Sequence, residues 1–259
     1  MRAETTGKGD FVVLVPGGLT GWLTMIPHAE QLAKNYRVVR VQPLNVDLGI
    51  RNEPLPEDYS VGYETQALAP TVEQTNIIQA HFLGWSYGGE IALNYALDNP
   101  EKVRTLTLIE PAAFWVLRSV GKSINELAEE QKKFQSLDPD DVTEAQLEWF
   151  AHAVGLVPHD VDPKELPVWP SWVKHRQSQR MGDTPFRHED SMERVRSFNK
   201  PVLLFKGEGS SKLQMEIIDV LGENFPDAQV YTLPGGHALP VVSMDNFMKI
   251  LTSFLDSSK

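Results

Sequence analysis

Cysteine is absent from the 259 residues, which removes disulfides, thiolate nucleophiles and cysteine-ligated metals together. Positive charge is scarce: 24 Lys and Arg stand against 35 Asp and Glu, a formal net charge of -11. Such a surface repels phosphate backbones and anionic lipid heads, so neither nucleic acid nor membrane is an expected partner. No uninterrupted apolar run approaches the roughly 20 residues that a membrane span requires. The opening MRAETTGKGD has no apolar stretch behind its arginine and does not read as a signal peptide. The default expectation is a cytoplasmic protein, and a homodimer is compatible with this surface.

The chain is otherwise an ordinary globular one, 41% hydrophobic and 23% charged. It is long enough for one sizeable core. Short β-branched runs alternate with helical patterns, which predicts βαβ units and a mostly parallel sheet. Strands are expected at Phe11–Val15, Arg37–Gln42, Gln79–Trp85, Val103–Ile109, Val202–Phe205 and Gln229–Leu233. FVVLV, LTLI and VLLF are apolar on both faces, as when helices cover both sides of a sheet. Helices are expected near Ile26–Lys34, Tyr63–Thr75, Tyr87–Asp98, Lys212–Glu223 and Asp245–Leu255.

One insertion breaks the alternation, because the segment from Ile109 to Pro201 is too long for a crossover. Within it Ile124, Leu127, Phe134 and Leu137 recur at helical spacing, as do Val142, Ala145, Trp149, Phe150 and Ala153 behind DPDDVTE. The expected organisation is a core made of residues 1–110 and 200–259, with residues 111–199 as a helical cap over one end of the sheet.

Three loops carry chemistry. GWSYGG, Gly84 to Gly89, follows an apolar strand and opens a helix, which is the context of a nucleophile elbow. Such a turn lifts the Ser86 hydroxyl clear of the sheet, and Gly84, Gly88 and Gly89 remove side chains that would collide across it. The plainer reading makes Ser86 a helix cap. LVPGGLTGW follows the first strand and offers an amide to a developing oxyanion, from Gly18 or, one register later, from Leu19. The second amide is that of Tyr87. LPGGHALP follows the last strand and carries His237 on a loop able to swing over the serine as general base. Of the 7 histidines this one completes the chain order Ser, acid, His, while His81 sits in a strand and His28, His152, His159, His175 and His188 sit on helices or in the cap.

Elbow, oxyanion loop, cap placement and terminal histidine together resemble the α/β-hydrolase superfamily over nearly the whole chain. The resemblance implies an α/β fold with a serine nucleophile, a histidine base and an acid that orients the histidine. The usual position of that acid, in GEGS after PVLLFK, holds Ser210, with only Glu208 nearby. A second known arrangement places the acid after the strand following the elbow helix, where TLTLIEP ends in Glu110, and Glu110 is favoured over Glu208. That placement is shared with haloalkane dehalogenases, whose Asp nucleophile Ser86 rules out, and with zearalenone-type lactonases. VVLVPGGLTG, LPGGHALPVVS and LPVWPSW are similar to oxyanion, histidine and cap segments of the latter. Family members usually begin with an antiparallel hairpin, for which MRAETTGKGD leaves no room, so the resemblance implies a reduced sheet of about six strands.

All 6 tryptophans fall in segments expected around the site: Trp22, Trp85, Trp115, Trp149, Trp169 and Trp172. With Phe114, Phe134 and Phe150 they would line a water-poor pocket for a bulky uncharged group, although a small helical cap also needs large side chains for its own core. The expected activity is serine hydrolysis of a carboxylic ester or lactone, with no metal or organic cofactor. C–C bond hydrolysis, amide hydrolysis, perhydrolysis, a small-molecule receptor and a non-catalytic scaffold share the same constellation.

Overall fold

The two-sided apolar runs divide by parity. Val12 and Leu14 pack into one buried cluster with Leu203 and Phe205, while Val13 and Val15 pack into another with Val202 and Leu204. Each such side chain contributes about 1.5–3 kcal/mol relative to an exposed one. A computed structural model describes residues 1–75 and 77–258. Asn76 and Lys259, each inside an expected core segment, lie outside the described residues.

Among the described residues seven strands form one sheet: β1 (Arg2–Gly7), β2 (Phe11–Val15), β3 (Arg37–Gln42), β4 (Ala80–Trp85), β5 (Val103–Ile109), β6 (Val202–Gly207) and β7 (Ala228–Leu233). Their order is β1-β3-β2-β4-β5-β6-β7, and only β1 runs antiparallel to its neighbour. The expected six-stranded sheet is therefore corrected to seven, since the opening residues do form a strand. β1 pairs with β3 from Arg2↔Gln42 to Gly7↔Arg37. The reversal is tight: Gly7 has φ +76°, and a Cβ there would lie 2.2 Å from the Tyr36 carbonyl oxygen.

The helices are α1 (Ile26–Leu32), α2 (Leu44–Arg51), α3 (Val61–Gln74), α4 (Tyr87–Asp98), α5 (Phe114–Ser119), α6 (Ile124–Gln135), α7 (Glu144–Ala153), α8 (Trp169–His175), α9 (Thr184–Arg187), α10 (Met192–Ser197), α11 (Lys212–Asn224), α12 (Leu239–Val242) and α13 (Met244–Ser257). Side chains of α3, α4 and α11 join one cluster, and those of α1 and α13 join the other, so helices cover both faces of the sheet. Helix α2 was unassigned from the sequence. Its Asp47 pairs with Arg2 at 2.6 Å and Arg51 at 3.1 Å, and it ends at Asn52 with φ +54°. Helices α5 to α10 all fall between β5 and β6. Thr143 and Gln146 close a reciprocal capping box at the start of α7.

The chain leaves β2 for β3 on one side and reaches β4 on the other. Beyond the carboxyl ends of β2 and β4 this reversal opens a crevice, the usual ligand position in an α/β sheet. Among the described residues no helix is long and apolar enough to cross a membrane.

Candidate active site

Ser86 sits in that crevice, between the end of β4 and the start of α4. Its φ of 56° and ψ of −124° are rarely adopted by a residue with a Cβ, and such a conformation costs of order 1–3 kcal/mol. The surrounding backbone enforces it. Ser86 N–H donates to the Ile109 carbonyl at 2.9 Å, and its own carbonyl accepts from Gly89 N–H at 2.9 Å and Ala112 N–H at 3.0 Å. A Cβ on Gly88 would lie 2.2 Å from the Pro16 carbonyl oxygen, and one on Gly84 would lie 2.5 Å from that of Gly88. Only glycine lets strand, elbow and helix come this close. The Ser86 side chain and His237 line the same cavity.

His237 rides on the loop after β7 and is almost completely buried. Its N–H donates to the Gly155 carbonyl at 2.9 Å, and its carbonyl accepts from the Trp85 indole N–H at 3.0 Å. The loop is thus fixed to the cap on one side and to the elbow on the other. Ring nitrogen Nδ1 lies 2.7 Å from Glu110 Oε2 and 2.9 Å from the Gln214 amide nitrogen. A carboxylate oxygen accepts and an amide NH2 does not, so the Nδ1 proton is assigned toward Glu110, which leaves the Nε2 lone pair free. Glu110 stands at the end of β5, fully buried, with φ +40°. Its Oε1 accepts from Gly207 N–H at 2.7 Å, which orients the carboxylate toward the ring. Glu208 instead is exposed, and Ser210 is buried with an unpartnered hydroxyl.

Gly18 and Leu19, after β2, line the cavity next to Ser86, and Tyr87 is the first residue of α4. The Tyr87 amide, as the first of the helix, has no intrahelical acceptor. Among the described residues no group of three His, Asp or Glu side chains is placed to hold a metal ion. Five of the six remaining histidines are engaged elsewhere: His28 with the Pro240 carbonyl at 2.9 Å, His81 with Thr105 at 2.8 Å, His175 with the Ser171 carbonyl at 2.6 Å, and His152 stacked on His159 at 5.5 Å.

Two cavities meet at Ser86. The larger, about 230 Å³, is walled by Trp85, Phe150, Leu156, Val168, Trp172 and Val241 among others, and no Asp, Glu, Lys or Arg faces it. The smaller, about 50 Å³, lies among Tyr87, Phe114, Phe134, Phe150 and Phe186. Trp85, Trp172 and Phe114 thus border the site. Trp22, Trp115, Trp149 and Trp169, expected there, line neither cavity. Trp22 lies under the Arg2 guanidinium at 5.2 Å, and Trp149 packs edge-on against Phe134 at 5.2 Å. Trp115 and Trp169 are buried in the apolar cluster where the cap meets the sheet. Bulky cap side chains serve the cap's own packing first. The sequence offered no sign of Gln214, because SKLQ reads as a helix capping box and Gln214 does form one with Ser211 while also reaching His237.

A family model described as alpha/beta hydrolase fold matches residues 10–242. A pimeloyl-[acyl-carrier protein] methyl ester esterase of Aeromonas salmonicida is 35% identical over 124 residues, which is 46% of this chain and 44% of that protein. The matched stretch is thus under half the length of that relative. A 2-hydroxymuconate semialdehyde hydrolase of Pseudomonas is 30% identical over 110 residues, 41% of this chain and 38% of that one. Among solved structures, an esterase from Exiguobacterium antarcticum superimposes with a TM-score of 0.77 at 19% identity, covering 98% of this chain and 94% of the other. With a seven-stranded sheet flanked by helices, and a model match across most of its length, the chain belongs to the alpha/beta hydrolase fold family.

Proposed function

We propose that this hydrolase is a serine esterase or lactonase that acts on an uncharged, apolar substrate through an acyl-enzyme. The carrying observation is the hydrogen bond from His237 Nδ1 to the buried Glu110 carboxylate, beside the strained Ser86 in one apolar cavity. In this mechanism Ser86 Oγ attacks the ester carbonyl as His237 Nε2 takes its proton. Glu110 stabilises the imidazolium and keeps the productive tautomer. The amides of Tyr87 and of Gly18, or Leu19, receive the oxyanion. Collapse of the tetrahedral adduct breaks the bond to the alcohol, which leaves with the proton from His237, and a water then repeats the steps to release the acid. In a lactone the alcohol stays attached to the acyl group until that second half.

The leaving alcohol must lie next to His237, and His237 borders the larger cavity but not the smaller. The alcohol portion therefore occupies the roomier side and the acyl portion the narrow aromatic one. A methyl ester is named for the Aeromonas relative, and ester cleavage suits this geometry. The muconate named for the Pseudomonas relative carries a carboxylate, for which this cavity has no cation.

The test is hydrolysis of p-nitrophenyl acetate by the wild type, Ser86→Ala, Glu110→Gln and Glu208→Gln. Ser86→Ala should fall to the buffer rate. Glu110→Gln should lose up to about 10⁴ in kcat, the scale of losing the orienting acid in a Ser-His-Asp site. Glu208→Gln should match the wild type. Equal background rates in all four proteins would overturn the esterase reading, and a ligand-induced rise in Tm without turnover would then point to a receptor.

A further inference from the structure

One buried hydrogen-bond chain joins the Tyr87 hydroxyl to the Gly18 carbonyl, on the two segments that carry the proposed oxyanion donors, and it centres on a carboxylate outside the Ser86, His237 and Glu110 set. Glu64, on α3, is fully buried. Its Oε1 accepts from Tyr59 O–H at 2.5 Å and Asn45 N–H at 3.0 Å, and its Oε2 accepts from Leu44 N–H at 2.9 Å. From Tyr59 the chain runs to Tyr87, whose hydroxyl lies 3.1 Å away. Because Tyr59 gives its only hydroxyl proton to Glu64, Tyr87 is the donor in that pair. Tyr87 also supplies one of the two backbone amides.

From Asn45 the chain runs to the peptide that carries the Leu19 amide. The Asn45 side-chain NH2 donates to the Gly18 carbonyl at 2.8 Å and the Ser178 carbonyl at 3.1 Å. The Gln179 NH2 donates to the same Gly18 carbonyl at 2.9 Å and to Ser178 Oγ at 3.1 Å. Ser178 Oγ in turn donates to the Leu19 carbonyl at 3.0 Å. Two consecutive carbonyls of the loop after β2 are therefore held, and with them the planar peptides that carry the Leu19 and Thr20 amides.

Resting on the serine-hydrolase reading above, we propose that Glu64 is a positioning residue for the oxyanion hole, acting on one amide through Tyr59 and Tyr87 and on the other through Asn45. None of these side chains needs to touch substrate. Preorganised donors stabilise the transition state because they do not reorient as charge develops. Small displacements of a positioned group can cost on the order of 10²-fold in rate. Loosening one end of this chain should therefore lower kcat while leaving substrate binding in the apolar cavity nearly intact.

The experiment compares wild type, Tyr59→Phe, Tyr87→Phe, the Tyr59→Phe/Tyr87→Phe double variant and Glu64→Gln. For each it measures kcat and KM on p-nitrophenyl acetate, the Ki of an aryl trifluoromethyl ketone that forms a tetrahedral adduct with serine, and Tm. Expected are a roughly tenfold or larger loss of kcat in Tyr59→Phe, KM within about twofold, and a parallel weakening of the ketone, as differential transition-state binding requires. The two tyrosines act through one link, so the double variant should lose no more than the worse single variant. Glu64→Gln should lose most, since an amide NH2 would face a group that itself donates. Should Glu64→Gln fail to fold, the two Phe variants carry the test, because each removes only one oxygen. A fall in Tm with kcat and ketone affinity unchanged would overturn the proposal and leave the network structural. A wild type no faster than Ser86→Ala would instead sink the hydrolase reading itself, so the two failures are distinguishable.

Discussion

Glu90 shows how much the protein tolerates next to the Ser86 turn. It lies in the first turn of α4, fully buried, and burial pushes its carboxyl well above the ordinary value; the charge of Asp190 adds to the shift and Arg118 offsets part. His188 Nε2 stands 3.6 Å from Glu90 Oε1, and burial lowers the pKa of its ring. A carboxyl raised on folding holds a proton that the unfolded chain has already released. Its contribution to stability is therefore present below the unfolded value of about 4.5 and is lost as pH rises toward the folded one. Glu90→Gln should accordingly raise Tm at pH 8 and change it much less at pH 4. Equal shifts at both pH values would contradict the buried, protonated carboxyl. At this scale Ser86 and His237 are legible in the sequence as candidates, because each sits beyond a strand end with a local signature, whereas Glu110 and Glu208 both remain open there. Asn45, Tyr59, Glu64 and Gln179 were not legible, because hydrogen bonds between distant segments leave no period and no motif.

At the scale of elements, the elbow is tightly constrained by backbone on both sides. A methyl group on Gly88 would lie 2.2 Å from the Pro16 carbonyl oxygen and 2.3 Å from that of Val15, both rigid backbone. Gly88→Ala should therefore separate the elbow from the loop after β2. It should destabilise the protein by about 2 kcal/mol or more and abolish esterase activity, as thermal melts and initial rates would show. Retained activity with an unchanged Tm would mean that the contact is not needed. The parallel strands were readable because burial on both faces makes them continuous apolar runs. β1 escaped for the opposite reason. RAETTG is exposed throughout, and its place is set by main-chain pairing with β3 and by Glu4 meeting Arg40 at 2.6 Å. A charged, one-sided edge strand of this kind also guards a sheet against edge-to-edge association. Helix α2 was hidden similarly, since its Gly49 is required by the close pass of Ser178, for which a Cβ would come within 2.5 Å of the backbone nitrogen.

For the whole molecule, the cap and the sheet together decide what can bind. Phe186 stacks on Phe114 at 3.9 Å and approaches Phe134 at 5.2 Å, closing the narrow cavity proposed for the acyl group. The wild type should prefer short acyl groups and accept bulky alcohols, read as kcat/KM along acetate, butyrate and octanoate esters of one alcohol. Phe186→Ala should shift that preference toward the longer chains by roughly tenfold or more. An unchanged profile would place the acyl group in the larger cavity instead. Composition and local pattern were enough for the sheet-and-helix class, for the long helical insertion between β5 and β6 and for naming three candidate loops, since each depends on residues adjacent in the chain. Which aromatic side chains face the cavity, which of two glutamates meets His237, and what holds the loop after β2 were decided only by the tertiary structure. These depend on how segments far apart in sequence come together, and packing and hydrogen bonding across such segments follow from geometry that no local stretch encodes.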